Sequence, residues 1–413
     1  MEDDVAKKRK KRSIRVELVS VSGETLGVVD VPETASSRDL EKVVNSLKDD
    51  DDDAQKYAFY FEHARIESLA SLGSEEETLK ITYEALGVFR VRRATRCGAT
   101  MPGHTDAILQ VKYSPDAKVV ASAGGDGTVR LWDATGPRRT CAGHRHHVLC
   151  VAWRDPEVFA SGDRGGEVRV WNTLECLHVH KHSKWVTALA WGPEGLASSS
   201  KDGTIKIWRN GRMVASLSHS DAVEAIVWGE ENKLYSGSRD RTVKVWAEGR
   251  LQSTLTGHAH RINCLAIHGA DRLVSGSDDA TIFFWHTKAR LTGHQQAVIA
   301  VAFAPDGRKF ASASFDKKIK LWNGVTGAFL TTLSGHVAAV YGVVWSPDSR
   351  FLASASKDST VKVWAGDDMT KTATKALDTL AGHLDEVFAI DWAPAGAHIA
   401  SGSKDRTLKL WFP

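Results

Sequence analysis

The chain has 413 residues, 42% of them hydrophobic, and its 54 Lys and Arg nearly balance 51 Asp and Glu for a net charge of +3. That length fits a small domain plus one large one, with ample apolar material for a core. The five cysteines are odd in number and form no C-x-x-C pair, which excludes a disulfide framework and a cysteine-based zinc site. No apolar run approaches the ~20 residues of a membrane-spanning helix, so the composition reads as intracellular and soluble.

In chain order, residues 1–12 form a basic tail. It ends in six consecutive cations, Lys7, Lys8, Arg9, Lys10, Lys11 and Arg12. Such a run reads either as a nuclear address or nucleic-acid contact, or as a solvated tail. From Ser13 the pattern changes. Ile14, Val16 and Leu18 alternate, and Leu26, Val28 and Val29 follow, which predicts a hairpin turning at Ser22-Gly23. Ser36-Ser37-Arg38-Asp39 has the form of a capping box. Leu40, Val43, Val44 and Leu47 then recur at i, i+3, i+4, i+7, which predicts an amphipathic helix. The acidic run Asp49–Asp53 predicts an exposed loop, and two more strands are expected over Tyr57–Phe61 and Leu79–Tyr83. Strand, strand, helix, strand, strand over residues 13–86 is the order of a ubiquitin-like β-grasp domain.

Residues 87–413 are repetitive. A His recurs at His104, His144, His182, His219, His258, His294, His336 and His383. A Trp follows each one 26 to 28 residues later, at Trp132, Trp171, Trp208, Trp246, Trp285, Trp322, Trp364 and Trp411. Ten residues before every Trp stands a Ser, as at Ser122 and Ser354. Six before it stands an Asp, as at Asp126 and Asp358, except in the second repeat, which has Gly165. Repeats of about 40 residues with strand periodicity predict blades of four short strands. A Ser, a His and an Asp together suggest a hydrolase triad. Eight copies around one ring argue instead for a buried structural network in which each polar group satisfies another. His144, His146 and His147 show no metal spacing and read as a loop face. Trp185 lies outside this register at a loop-to-strand position. It reads either as an interface anchor, a role in which Trp is enriched, or as a locally packed aromatic.

The chain ends just after the third strand of the eighth repeat, which leaves that blade an open edge. The alternating segment Val88-Phe89-Arg90-Val91-Arg92 is the spare strand nearby, so residues 88–96 are expected to close an eight-bladed ring.

The repeats resemble the WD40 family over residues 88–413. The combination is narrower. A β-grasp order joined to eight repeats, with Phe89-Arg90-Val91, the string His182 to Thr187, the string Ser314 to Trp322, Gly335 to Tyr341 and Gly382 to Val387, resembles the Notchless family of ribosome-assembly factors. One departure stands out. Notchless relatives carry a long insertion in the fifth repeat, and here His258 to Trp285 has the ordinary length. The resemblance implies a non-catalytic factor of the nucleolus and nucleoplasm with no cofactor of its own and no membrane. It would act as a monomer within the precursor of the large ribosomal subunit, docked through its propeller on ribosomal proteins and RNA. The resemblance also implies that the N-terminal domain is held by midasin, a large AAA ATPase, with Glu76 completing the coordination of a Mg²⁺ ion that the partner carries. Read from the residues alone, Glu75 to Glu77 are a solvated acidic turn. A general WD40 scaffold or adaptor in a ubiquitin or signalling pathway is the alternative, and an enzyme ranks last because no phosphate-binding Gly motif, metal cluster or unrepeated triad is present.

Overall fold

The computed structural model describes residues 13–20, 25–32, 35–47, 57–61, 64–66, 69, 78–85, 90–366 and 375–413. The chain divides into two compact units, Met1–Arg90 and Val91–Pro413.

In the first unit, β1 (Ser13–Ser20) pairs antiparallel with β2 (Thr25–Pro32), the helix α1 (Ser37–Leu47) follows, and then come β3 (Tyr57–Phe61), β4 (Ala64–Ile66) and β5 (Thr78–Ala85). The sheet order is β2-β1-β5-β3-β4, with β1 and β5 parallel at its centre, which is a β-grasp arrangement. The three-residue β4 is an addition to the order expected from the sequence. It pairs only with β3 and is too short to leave a periodic signal. The α1 N-terminus is capped as its residues suggest: the Ser36 backbone N–H donates to Asp39 Oδ2 at 3.1 Å and the Ser36 hydroxyl to the same oxygen at 2.7 Å. Those two bonds hold the Asp39 carboxyl below its ordinary range. The apolar face of α1, Leu40 and Val44, buries against Val16, Leu18, Leu79 and Ile81 of the two central strands. Each such side chain contributes roughly 1.5–3 kcal/mol of hydrophobic stabilisation. Val28 and Leu47, expected on the apolar side, are instead exposed. The turn at Ser22-Gly23 and the acidic run lie outside the described residues.

The second unit is a ring of eight four-stranded antiparallel sheets. In blade 1 the strands, named a to d from the centre outward, are Ile108–Tyr113, Val120–Gly124, Thr128–Asp133 and Gly136–Ala142. Each cluster of apolar side chains lies between blades. Ile205, Ile207 and Leu217 of blade 3, for example, pack on Val223, Leu234 and Trp246 of blade 4. A blade therefore has no core of its own, and the ring is stable only as a whole.

A second set of tryptophans, at the ends of strands a, ties neighbouring blades together. The Trp153 indole N–H donates to the Lys112 carbonyl of blade 1 at 3.0 Å. Trp191 donates to Ala152 at 3.1 Å, Trp228 to Ala190 at 3.1 Å and Trp345 to Ala302 at 3.0 Å. Between blades 8 and 1 this device is replaced. Asp391 accepts from Lys112 Nζ and from the Tyr113 backbone N–H, both at 2.8 Å.

Blade 8 is closed by a strand from before the first repeat, but not by residues 88–96. The closing strand is Arg96–Pro102, which pairs with Thr407–Phe412 from Phe412↔Arg96 to Thr407↔Pro102. The outer strands of the other blades show why. Each ends one to three residues before the next tetrad His, as Ser334 does before His336 and Ala381 before His383, and the same short loop fixes Pro102 before His104. This spacing was available in the sequence. The segment proposed for the strand has another role. Val91 and Ala94 bury among Val363, Leu380, Trp392 and Trp411, and the Val91 N–H is held by Asp348 Oδ2 at 2.7 Å. Val88 and Phe89 lie outside the described residues.

Removing residues 96–102 strips Thr407–Phe412 of its partner and Met101 from the core between blades 8 and 1. The thermal midpoint is expected to fall sharply, and an unchanged midpoint would show that blade 8 stands without a fourth strand.

Candidate interaction face

The repeated His, Ser, Asp and Trp residues form a hydrogen-bonded chain in every blade. In blade 1 the Trp132 indole N–H donates to Ser122 Oγ at 2.7 Å, the Ser122 hydroxyl reaches His104 Nε2 at 2.7 Å, and His104 Nδ1 faces Asp126 Oδ2 at 2.9 Å. Blade 7 repeats this with Trp364 to Ser354 at 2.9 Å, Ser354 to His336 at 2.7 Å and His336 to Asp358 at 2.8 Å. The serines are fully buried, as are Trp132 and Trp364. One proton arrangement satisfies all four groups: Trp N–H to Ser, Ser O–H to Nε2, and Nδ1–H to the carboxylate.

Blade 2 solves the missing Asp. Asp163, two residues after Ser161, takes the role, with Oδ2 at 3.0 Å from His144 Nδ1 while Oδ1 accepts the backbone N–H groups of Gly165 and Glu167. The signal in the sequence was an Asp displaced by two positions, which a fixed-register search passes over. In blade 3 the ring of His182 leans on Thr204 Oγ1 at 3.0 Å, with Asp202 at 3.4 Å.

Burial pushes these carboxyls up, but hydrogen bonds from His, Thr and backbone N–H groups outweigh it. Asp316 and Asp405 come to rest at about 2, and Asp126 and Asp163 are lowered as well. Burial lowers His104 and His383, and takes His182 down to about 4.

The His lies in the loop from strand d into the next strand a, and the Asp in the turn between strands b and c, except in blade 2, where Asp163 ends strand b. Outside blade 2 each Asp also accepts the backbone N–H of the residue after its His, as from Thr105, Val337 and Leu384. Each tetrad thus clamps two loops side by side at one end of its blade. That end carries exposed side chains that differ from blade to blade.

Trp185 is at this end. Eight of the 14 tryptophans belong to tetrads and five end strands a, which leaves Trp185 outside both sets. It is half-buried, with the Arg164 guanidinium 4.2 Å and the Lys201 ammonium 3.8 Å from the indole centroid. It is packed locally, and what it packs against is charged and open to solvent. Blades 6 to 8 present the opposite character. Phe315, 38% exposed, meets Tyr341 edge-on at 6.2 Å, and Tyr341 lies 5.5 Å from Phe388. Val337 and Leu384 follow their tetrad histidines at 74% and 91% exposure. Burial, then the hydrogen bond to Glu386, pushes the Tyr341 hydroxyl up to about 12. His146 and His147 are exposed loop residues of the same face. Among the described residues no group of three or more His, Cys, Asp or Glu could hold a metal. Glu76 and residues 7–12 lie outside the described residues.

Ring, tetrads and loop face together define a WD40 β-propeller protein. The family profile "WD domain, G-beta repeat" matches at residues 95–133, 135–172, 174–209, 211–247, 249–286, 287–323, 327–365 and 374–411. The computationally designed Ika8 protein, whose crystal structure is known, superposes with a TM-score of 0.68 at 31% identity, covering 77% of this chain and all of that one. The chain is 40% identical over 372 residues to the Notchless protein homolog of Arabidopsis thaliana, covering 73% of this chain and 78% of the relative. It is 36% identical over 379 residues to Protein Notchless of Drosophila melanogaster, covering 74% and 77%. To Ribosome assembly protein 4 of Saccharomyces cerevisiae it is 36% identical over 408 residues, covering 78% and 79%. The chain belongs to the Notchless family.

Asp163→Ala leaves the His144 ring N–H and two backbone N–H groups without an acceptor. It is expected to cost about 1–3 kcal/mol in denaturant unfolding, as a tetrad Asp would. No loss would mean that Asp163 has no such role. The wild-type midpoint should also fall on acidification. His104, His182 and His383 bind a proton in the unfolded chain first, so stability declines as the pH falls below about 6.5, toward about 4 for His182. It then declines further toward about 2 as Asp316 and Asp405 protonate. A midpoint flat over that range would contradict the network.

Proposed function

We propose that this chain is a non-catalytic assembly factor for the large ribosomal subunit. Its propeller docks on the pre-ribosomal particle, and its ubiquitin-like N-terminal domain engages the metal-dependent site of a midasin-type ATPase. The observation that carries the reading is the family: relatives named Notchless and Ribosome assembly protein 4 align with the chain over more than three quarters of their own lengths. The face built on the tetrads supports it. Its non-repeated cations and aromatics stand on loops fixed by buried hydrogen bonds, as a docking surface requires. The Ser, His and Asp of each tetrad are consumed in those bonds, which agrees with a scaffold.

The particle-bound monomer works in the nucleolus and nucleoplasm, with residues Lys7 to Arg12 as its address. A tagged copy is expected to be nuclear and to co-purify with large-subunit ribosomal proteins and their assembly factors, with less nuclear signal once residues 7–12 are replaced by Ala. Recovery of ubiquitin-ligase or signalling subunits instead would favour the general WD40 adaptor.

For the N-terminal domain, Glu76 donates its carboxylate to a Mg²⁺ ion held by the partner, since a hard cation left one oxygen ligand short accepts one from outside. Glu76→Asp keeps the charge and shortens the reach by one methylene. It is expected to abolish binding to the partner's metal-site domain, as is EDTA with the wild type. Magnesium-dependent binding that survives Glu76→Ala would move the role to Glu75 or Glu77.

A further inference from the structure

The residue three positions after the tetrad Ser lies in the clamped b–c turn of every blade. In blades 2, 3 and 4 it is Arg164, Lys201 and Arg239, a cation at one register position in three consecutive blades. The exposed Arg145, Lys184 and Arg241 stand on the same loops. Carboxylates answer only part of this charge. Glu224 pairs with Arg239 at 2.5 Å, and in blade 5 Asp278 pairs with Arg261 at 2.5 Å. Arg164 and Lys201 have no carboxylate within ion-pair distance among the described residues. They are fixed instead over the Trp185 indole, which attracts a cation without neutralising it. Burial lowers Lys201, and although Glu224 opposes this, Arg239, Arg164 and Arg261 lower it further, as expected in a field of like charge. In blades 6 to 8 the equivalent face is aromatic or already paired: Phe315, and Lys357 and Lys404 with Glu386.

From these observations we infer that the loop face of blades 2 to 4, centred on Arg164, Trp185 and Lys201, binds the phosphate backbone of RNA. Two unneutralised cations share one indole, with Arg145, Lys184 and Arg241 exposed on the same loops, and a phosphodiester chain offers them a charge at every nucleotide. An acidic protein segment would have to cluster its carboxylates to do the same. The indole is covered by two cations, so it positions guanidinium and ammonium groups and is not a stacking platform for a base. Contact of this kind holds RNA without reading its sequence. The inference deepens the proposed function by naming the component of the particle that this face meets.

The test uses the full chain with residues 7–12 replaced by Ala in every protein, so that the tail does not mask the face. The probes are fluorescein-labelled single-stranded polyuridine and labelled poly-glutamate, titrated by anisotropy across a salt series. Arg164→Gln with Lys201→Gln keeps the side-chain stems and removes both charges. Polyuridine affinity is expected to fall several-fold, and the log–log salt slope to shrink by about 1.4, about 0.7 for each lost phosphate contact on a single strand. A wild-type thermal midpoint certifies folding, and if this pair lowers it, Arg145→Gln with Arg241→Gln serves in its place. An unchanged slope and affinity in a folded variant would overturn the inference, as would tighter wild-type binding to poly-glutamate than to polyuridine. Co-sedimentation of the wild type with large-subunit precursors is read separately. If it persists while the Gln pair keeps the full slope, the RNA contact alone is wrong.

Discussion

Each blade depends on one buried histidine. Its ring has two nitrogens, and burial without partners would cost a few kcal/mol for each polar group. The fold meets this with a serine from strand b on one side and an aspartate from the b–c turn on the other, while the tryptophan of strand c donates to the same serine. Because the histidine belongs to the loop entering the blade and the aspartate to a turn within it, the bond that satisfies the ring also fixes two loops against each other. Stability and the presentation of a binding face come from the same four side chains in each blade. Blade 2 shows that the requirement is an acceptor at that place in space and not at that place in sequence, since Asp163 serves where Gly165 cannot.

A ring made this way has one weak point. Every interior blade shares its core with both neighbours and is linked to them by backbone loops. The loop from Pro102 to Ile108 links blade 8 to blade 1 like any other pair, but within blade 8 strand c has no backbone link to strand d, because the outer strand comes from residues about 310 positions earlier. Three devices meet there: the Arg96–Pro102 ladder, Met101 in the core between the blades, and Asp391 holding Lys112 and Tyr113. The last replaces the indole-to-carbonyl bond found between blades 1 and 2, 2 and 3, 3 and 4, and 6 and 7. A charged link at the seam is partly exposed through Lys112 and is less costly to bury for that reason.

Once the loops are fixed, what they carry is free to vary. The face divides into an arc of cations on blades 2 to 4 and an arc of aromatic and aliphatic side chains on blades 6 to 8. The division is electrostatic as well as compositional. On blades 4, 5, 7 and 8 cations meet carboxylates, whereas on blades 2 and 3 they meet an indole that leaves their charge in place. A scaffold whose buried bonds set the geometry can change partners by exchanging these residues without touching its core.

The sequence by itself determined the number of blades, the residues of seven tetrads, the strand periodicity, and most of the β-grasp order. These follow from local spacing: a buried network must recur at a fixed distance from its own strands, and amphipathic elements must show their period. The closing register follows a spacing to His104 that the sequence carried, but the tertiary structure decided which segment pairs there. Residues 88–96 have the alternation of a strand, but the length of the loop to His104 and the pairing with Thr407–Phe412 set the ladder at Arg96–Pro102. The tertiary structure also decided that Asp163 completes the second tetrad, that four of the tryptophans standing nine residues after a tetrad His bond across to the previous blade, and that Arg164 and Lys201 share the Trp185 indole. Each of these joins residues of different strands or blades whose contact no spacing within a repeat announces. Their meeting is set by how twisted sheets pack around a closed ring, a property of the whole chain and not of any segment of it.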